Sequence, residues 1–215
     1  MPIPRFASAT EGASILSLKL WYSPASPFVR KVLVFAHEAG LADSIALVRA
    51  DVWAADTGIM QDNPLGKVPA LVAPEGIFAG SYLCCEYLDS LHAGARLIPA
   101  DPRERWPALQ LHAFADGIIE AAVASIVEQL RRPKEFVYQG MIERQSARIY
   151  RTLDRIASMP LSEAPGIATV TLGCALGYLD FRLPQLAWRD GRTALSHWYD
   201  VFSARKSMQA TVPHL

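Results

Sequence analysis

Three hydroxyls stand close together in the stretch LKLWYSPASPFVRKVLV, Leu18 to Val34: Tyr22, Ser23 and Ser26. Ser26 precedes Pro27, and apolar residues then recur at Phe28, Val29, Val32, Leu33 and Ala36, which is helical spacing. Serine is a strong N-cap, and proline is favoured at the first helical position. Ser26 therefore sets a hydroxyl at the positive end of a helix, beside free backbone N–H groups. Such a place favours a negative ligand. A helix cap without chemistry reads equally well from these residues alone. Ser23 and Tyr22 are the competing hydroxyls, although Tyr22 belongs to an apolar, aromatic strand and can turn inward.

Two later stretches add to this. Asn63 to Leu71, NPLGKVPAL, carries turn signals and then an apolar strand; its Val68-Pro69 bond is a candidate for the cis form. Ser81 then opens a second helix through Tyr82, Leu83, Cys85, Glu86, Tyr87 and Leu88. It offers a second hydroxyl and a second set of free N–H groups to an anion. Cys84, Cys85 and Cys174 read as packing residues. His37, His92, His112, His197 and His214 form no cluster, and no Cys and His pair has zinc-ligand spacing, so no metal is expected.

These groups have to be positioned by a chain of 215 residues, about half of them apolar, with 21 basic and 21 acidic side chains. Zero net charge argues against nucleic acid or an anionic membrane as the main partner. No apolar run long enough to span a bilayer, no secretory signal and three sparse cysteines together predict a cytoplasmic protein. Residues 1–17 read as a flexible extension. Residues 18–92 predict strand, helix, strand, a short helix within Val52 to Gln61, strand, strand and helix. A linker over 93–103 follows, and 104–215 is predicted to be wholly helical. Its helices run from Arg103 to Arg132, Glu135 to Ser158, Ile167 to Asp180 and Thr193 to Arg205, with an irregular tail after Met208. The first has two apolar stripes, one through Leu111, Ala115, Ile118, Ala122 and Ile126, the other through Ile119, Val123, Val127 and Leu130. Two stripes predict burial on two sides, in a core and against the other domain or a partner subunit.

SPFVRKV, NPLGKVPAL and FAGSYLCCEYLD, followed by a helical half containing CALGYLDFR, resemble a cytosolic glutathione transferase of a bacterial, serine-type or tau-like branch. The resemblance covers about Leu18 to Pro213. It implies an α/β plus all-α fold, with a thioredoxin-like N-terminal domain followed by an all-helical C-terminal domain. It implies glutathione as co-substrate, an apolar electrophile bound between the domains, a homodimer, and the conjugation chemistry of detoxification. Ser26 matches the residue whose hydroxyl faces the glutathione sulfur. Val68 matches the residue whose backbone pairs with the cysteinyl part, Pro69 the cis-proline, and Ser81 the residue that holds the γ-glutamyl carboxylate. Lys67 is a candidate ligand contact; Phe114, Ile118 and Tyr178 are candidates for the electrophile site.

Two positions depart from the family's pattern. Gly80 stands where an acidic residue usually meets the ammonium of glutathione. Gly166 stands where a Ser or Thr usually begins the capping box of the central helix, with Thr169 three residues on. The first leaves open a fold-bearing ligand-binding protein with little or no catalysis; a second alternative, independent of Gly80, is a glutathione-dependent thiol–disulfide reductase or peroxidase. The second alternative is disfavoured by Ser26, which occupies the place of a redox thiol.

Overall fold

Alternation in Leu18-Lys19-Leu20 puts two leucines on one side of a strand, and both are buried. The computed structural model describes residues 18–55 and 57–215. The extension expected over 1–17 lies outside the described residues. Strand β1 (Leu18–Tyr22) pairs in parallel with β2 (Ile45–Arg49) and antiparallel with β3 (Ala70–Ala73), which pairs antiparallel with β4 (Gly76–Ala79). The order β2-β1-β3-β4 is a thioredoxin-like sheet. Parallel neighbours need a crossover, and helix α1 (Pro27–Glu38) supplies it. Helix α2 (Ser81–Ser90) follows β4 and packs against α1.

The short helix expected within Val52 to Gln61 is reduced to a single 3₁₀ turn, Ile59–Gln61. Local turns compete with it. The Asp51 carboxylate takes the Trp53 N–H at 3.0 Å, and Gly58 has a positive φ of 23°.

The helical half comprises α3 (Pro102–Arg131), α4 (Gln139–Ala157), α5 (Ile167–Arg182), α6 (Thr193–Ser203) and the short α7 (Lys206–Gln209). The short α7 falls between the last helix expected and the tail, and beyond Gln209 the chain is irregular as expected. The helix expected from Glu135 starts instead at Gln139, because the Glu128 carboxylate accepts the Tyr138 N–H at 2.9 Å and ends the preceding turn. Contrary to expectation, α3 has the length and mean hydropathy of a membrane-crossing helix. One of its apolar faces packs within the fold, against α4 and α5.

Helix α5 is buried on every side from Ile167 to Leu179. Small residues make that possible: a Cβ on Gly173 would lie 2.8 Å from the Phe202 ring. Half of its capping box survives. Gly166 has no side chain to offer, but Thr169 Oγ1 accepts the Gly166 N–H at 3.0 Å.

The two halves are stitched together by buried polar groups. The Asp89 carboxylate accepts the N–H groups of Leu97 and Ile98, at 2.9 and 3.3 Å, and the Leu97 carbonyl accepts the Ile167 N–H at 2.9 Å. Glu38 on α1 accepts two hydrogen bonds from one guanidinium edge of Arg205, from Nε at 2.8 Å and Nη2 at 2.9 Å, and another from the Ser207 hydroxyl. Lys31 on α1 is wholly buried, pairing with Asp116 on α3 and donating to Ser81 Oγ on α2 at 2.8 Å.

His112 packs beside this lysine and shares a 2.9 Å hydrogen bond with Thr171. Burial, reinforced by the charge of Lys31 and opposed by Asp116, lowers its pKa from 6.5 to about 4. The unfolded chain therefore binds more protons between those two pH values, and stability falls as pH drops through that window. His112 alone is expected to remove about 2 kcal/mol between pH 7 and pH 5. Urea midpoints at the two pH values check this, and His112→Gln should flatten the difference.

Candidate active site

Ser26 caps α1 as its sequence demands. Its Oγ accepts the Val29 N–H at 3.3 Å, Pro27 takes the first helical position, and the backbone at Ser26 is extended. One lone pair is thereby used within the protein, and the O–H remains available as a donor. Ser26 is half-buried and opens into a cleft of about 810 Å3 between the sheet-bearing and helical halves.

The sheet-bearing side of the cleft holds Ser23, Ser26 and Phe28, and across from them Lys67 and Val68. Gly66 turns the chain there with φ of 61°, and the Asn63 side chain fixes the turn by donating to the Lys67 carbonyl at 2.7 Å. The Val68-Pro69 bond is cis. Among the described residues no group hydrogen-bonds to the backbone of Val68, so its N–H and carbonyl are left to an incoming chain.

The helical wall is apolar along α3, through Val123, Ile126, Val127 and Leu130, and becomes polar at Tyr178 and Arg182 on α5. The second stripe of α3 thus turns largely toward this cleft. The loop after β2 forms the third side. There Trp53 lies under the Arg131 guanidinium, which sits 4.6 Å from its ring centroid and bridges the mouth.

The structure brings Ser23, Ser26, Lys67, Val68 and Tyr178 into one cleft, and leaves Tyr22 and Pro69 out of its lining. Gly80 is exposed at the start of α2, with φ 96° and ψ 138°. Ser81 is buried one residue further on, also outside the lining, with its oxygen already accepting from Lys31. Two electrophile-site expectations need correction. Ile118 has no exposed surface and belongs to the core, and Phe114 packs against that core rather than facing the cleft. Both lie on α3 about a turn or more before the wall begins at Val123.

Sequence reasoning missed Lys31, Asp116, Arg131 and Arg182. Lys31 alone left a trace: it lies one helical turn from Pro27 and from Val34 and Phe35, all buried. The thiols are unsuited to chemistry. Burial pushes Cys84 up to about 12 and Cys174 up to about 11, and raises Cys85 well above its usual value.

Two family profiles match the chain: Glutathione S-transferase, N-terminal domain, over residues 25–91, and Glutathione S-transferase, C-terminal domain, over 139–201. An Escherichia coli (strain K12) protein named "Uncharacterized GST-like protein YibF" is 33% identical over 202 residues, covering 91% of this chain and 98% of its own. A crystal structure of a glutathione transferase family member from Pseudomonas fluorescens Pf-5, with bound glutathione, is 40% identical with a TM-score of 0.89, covering 93% of this chain and 100% of that one. A further structure described in the same way, with bound S-(propanoic acid)-glutathione, is 39% identical with a TM-score of 0.83 and covers 92% and 100%.

Proposed function

Because the chain belongs to the glutathione S-transferase family, we propose that it binds glutathione in this cleft and adds the glutathione sulfur to an electrophile seated against the helical wall. The observation that carries the reading is the Ser26 hydroxyl at the head of α1, with its donor free and facing the cleft. A free thiol titrates near 8.5, so only a few per cent is ionised at neutral pH. A hydroxyl donor together with a helix N-terminus stabilises the anion and raises that fraction.

In this reading the cysteinyl backbone of glutathione pairs with Val68, across the cis bond to Pro69. The γ-glutamyl carboxylate meets the N-terminus of α2, where the Ser81 hydroxyl can donate while Lys31 anchors its oxygen. Lys67 reaches the glycyl carboxylate. The thiolate then forms a bond to the electrophilic carbon. The displaced electron pair leaves with the leaving group, or moves to the adjacent carbon, which takes a proton from water. A relative crystallised with bound glutathione and with bound S-(propanoic acid)-glutathione supports this reading.

The homodimer is part of the same proposal. Leu83 on α2 and Trp106 on α3 are exposed, on elements joined by the Arg105–Glu86 ion pair. So is a cytoplasmic setting, supported by three cysteines that are all free thiols. An ultraviolet difference spectrum of the saturated complex near neutral pH tests the chemistry. A thiolate band is expected, and its absence removes the mechanism.

Gly80 favours one rival, a protein that holds glutathione weakly. A hydrogen bond to a charged group contributes about 1.5–3 kcal/mol, and a glycine supplies none to the ammonium. A Cβ at Gly80 meets nothing within 4 Å, so Gly80→Asp has room, at a backbone conformation that suits glycine best. The substitution is expected to tighten glutathione binding by about tenfold or more, while lowering stability by roughly 1–3 kcal/mol. Calorimetric titration and a thermal melt measure the two effects separately. Thiol–disulfide exchange is disfavoured by the three buried thiols and by Ser26 itself.

A further inference from the structure

We infer that the helical wall of the cleft recognises a carboxylate, so that the electrophile taken by this protein is an apolar molecule carrying a carboxylate group. The inference rests on the glutathione reading and specifies the other half of the same site.

Among the described residues, four cationic side chains line the cleft, Arg49, Lys67, Arg131 and Arg182, against one acidic side chain, Asp51; Leu215 lines it too. None of the four has a carboxylate partner among the described residues. Glutathione brings two carboxylates of its own. The N-terminus of α2 and the Lys67 turn, both on the sheet-bearing half, answer those. Arg131 and Arg182 stand on the helical half and are left over.

Arg182 is the more telling of the two. Its Nε is buried and hydrogen-bonds to nothing among the described residues. The Nε itself is sealed from the cleft, so a ligand meets only the part of the guanidinium that lines it, for which a carboxylate is the best-matched acceptor. Tyr178 stands one helical turn before Arg182 on the same wall, a neutral phenol able to donate to the same oxygen pair. The apolar run Val123, Ile126, Val127 and Leu130 adjoins them. The wall therefore offers a dry face for a hydrocarbon body and a charged end for an acid. A neutral apolar electrophile would leave Arg182 as it stands.

Two matched pairs of stable conjugates test this by calorimetric titration: S-(4-carboxybenzyl)glutathione against S-benzylglutathione, and S-(2-carboxyethyl)glutathione against S-propylglutathione. In at least one pair the acid is expected to bind ten- to a hundredfold tighter than its neutral partner, with the preference shrinking at high salt. Arg182→Gln should bring the two members to within about twofold of each other, and Arg182→Lys should keep part of the preference. Should Arg182→Gln fold poorly, Arg131→Gln, at an exposed position, serves as the second variant and is expected to reduce the preference. If the neutral member binds as tightly as the acid in both pairs, the inference is overturned while the glutathione reading stands. If neither the conjugates nor glutathione itself bind, both fall together.

Discussion

Replacing Asp116 by alanine is expected to destabilise the protein by about 3–5 kcal/mol, because it leaves a buried ammonium without its counter-charge. Lys31 has no exposed side-chain surface, whereas Asp116 keeps a quarter of its own. The asymmetry decides which deletion is worse. Without Lys31, Asp116 can still draw on water. Without Asp116, Lys31 has only the Ser81 hydroxyl at 2.8 Å. For a chain of this size the loss corresponds to a fall in Tm of roughly 6–20 °C. Replacing both members, as Lys31→Met with Asp116→Leu, should recover much of the loss, since a buried pair costs nearly as much in desolvation as it returns. A single-variant loss below about 1 kcal/mol in denaturant melts would show that the pair is not holding α1, α2 and α3 together. Ser81 shares the ammonium, so Asp116→Ala should also raise the KM for glutathione more than it lowers kcat.

The second large effect is expected from Ser26→Ala. A donor to an anionic sulfur is worth about 1.5–3 kcal/mol, so kcat/KM should fall roughly ten- to a hundredfold with a generic aryl halide. The thiol of bound glutathione should titrate about one to two units higher, followed by absorbance of the complex. Loss of the cap lowers stability by about 1 kcal/mol, too little to account for a kinetic change of that size. Ser26→Thr keeps both hydroxyl functions and should recover much of the rate. Ser23 lines the same cleft. If Ser23→Ala, and not Ser26→Ala, moved the thiol titration, the role would pass to Ser23.

Much of the scaffold was legible in local signals. Ser26-Pro27 set the start of α1 and an apolar, aromatic run marked β1, whereas Asp101 and Pro102, read as linker, turn out to open α3, the Asp101 side chain accepting the Arg103 N–H at 2.8 Å. The site was legible where a single turn builds it, as around Ser26 and Lys67-Val68. It was not where two distant segments must meet. Lys31 in isolation is an ordinary helical lysine, and only Asp116, 85 positions away, makes its burial tolerable. Arg182 looks like the solvated end of α5 until the cleft is closed over it. Phe114 and Ile118 belong to the same helix as the cleft wall, but the side facing the cleft emerges only once α4 and α5 have covered the rest. Periodicity counts apolar faces; it does not say which neighbour each one meets.

The Asp89 clasp has a further consequence. Its carboxylate grips the segment that crosses from α2 to α3, and the Leu97 carbonyl in turn receives the head of α5. The crossing is therefore a seam and not a hinge. Melting should proceed as one cooperative transition, with calorimetric and van't Hoff enthalpies in agreement, and neither half cut free at this seam should keep its native structure alone.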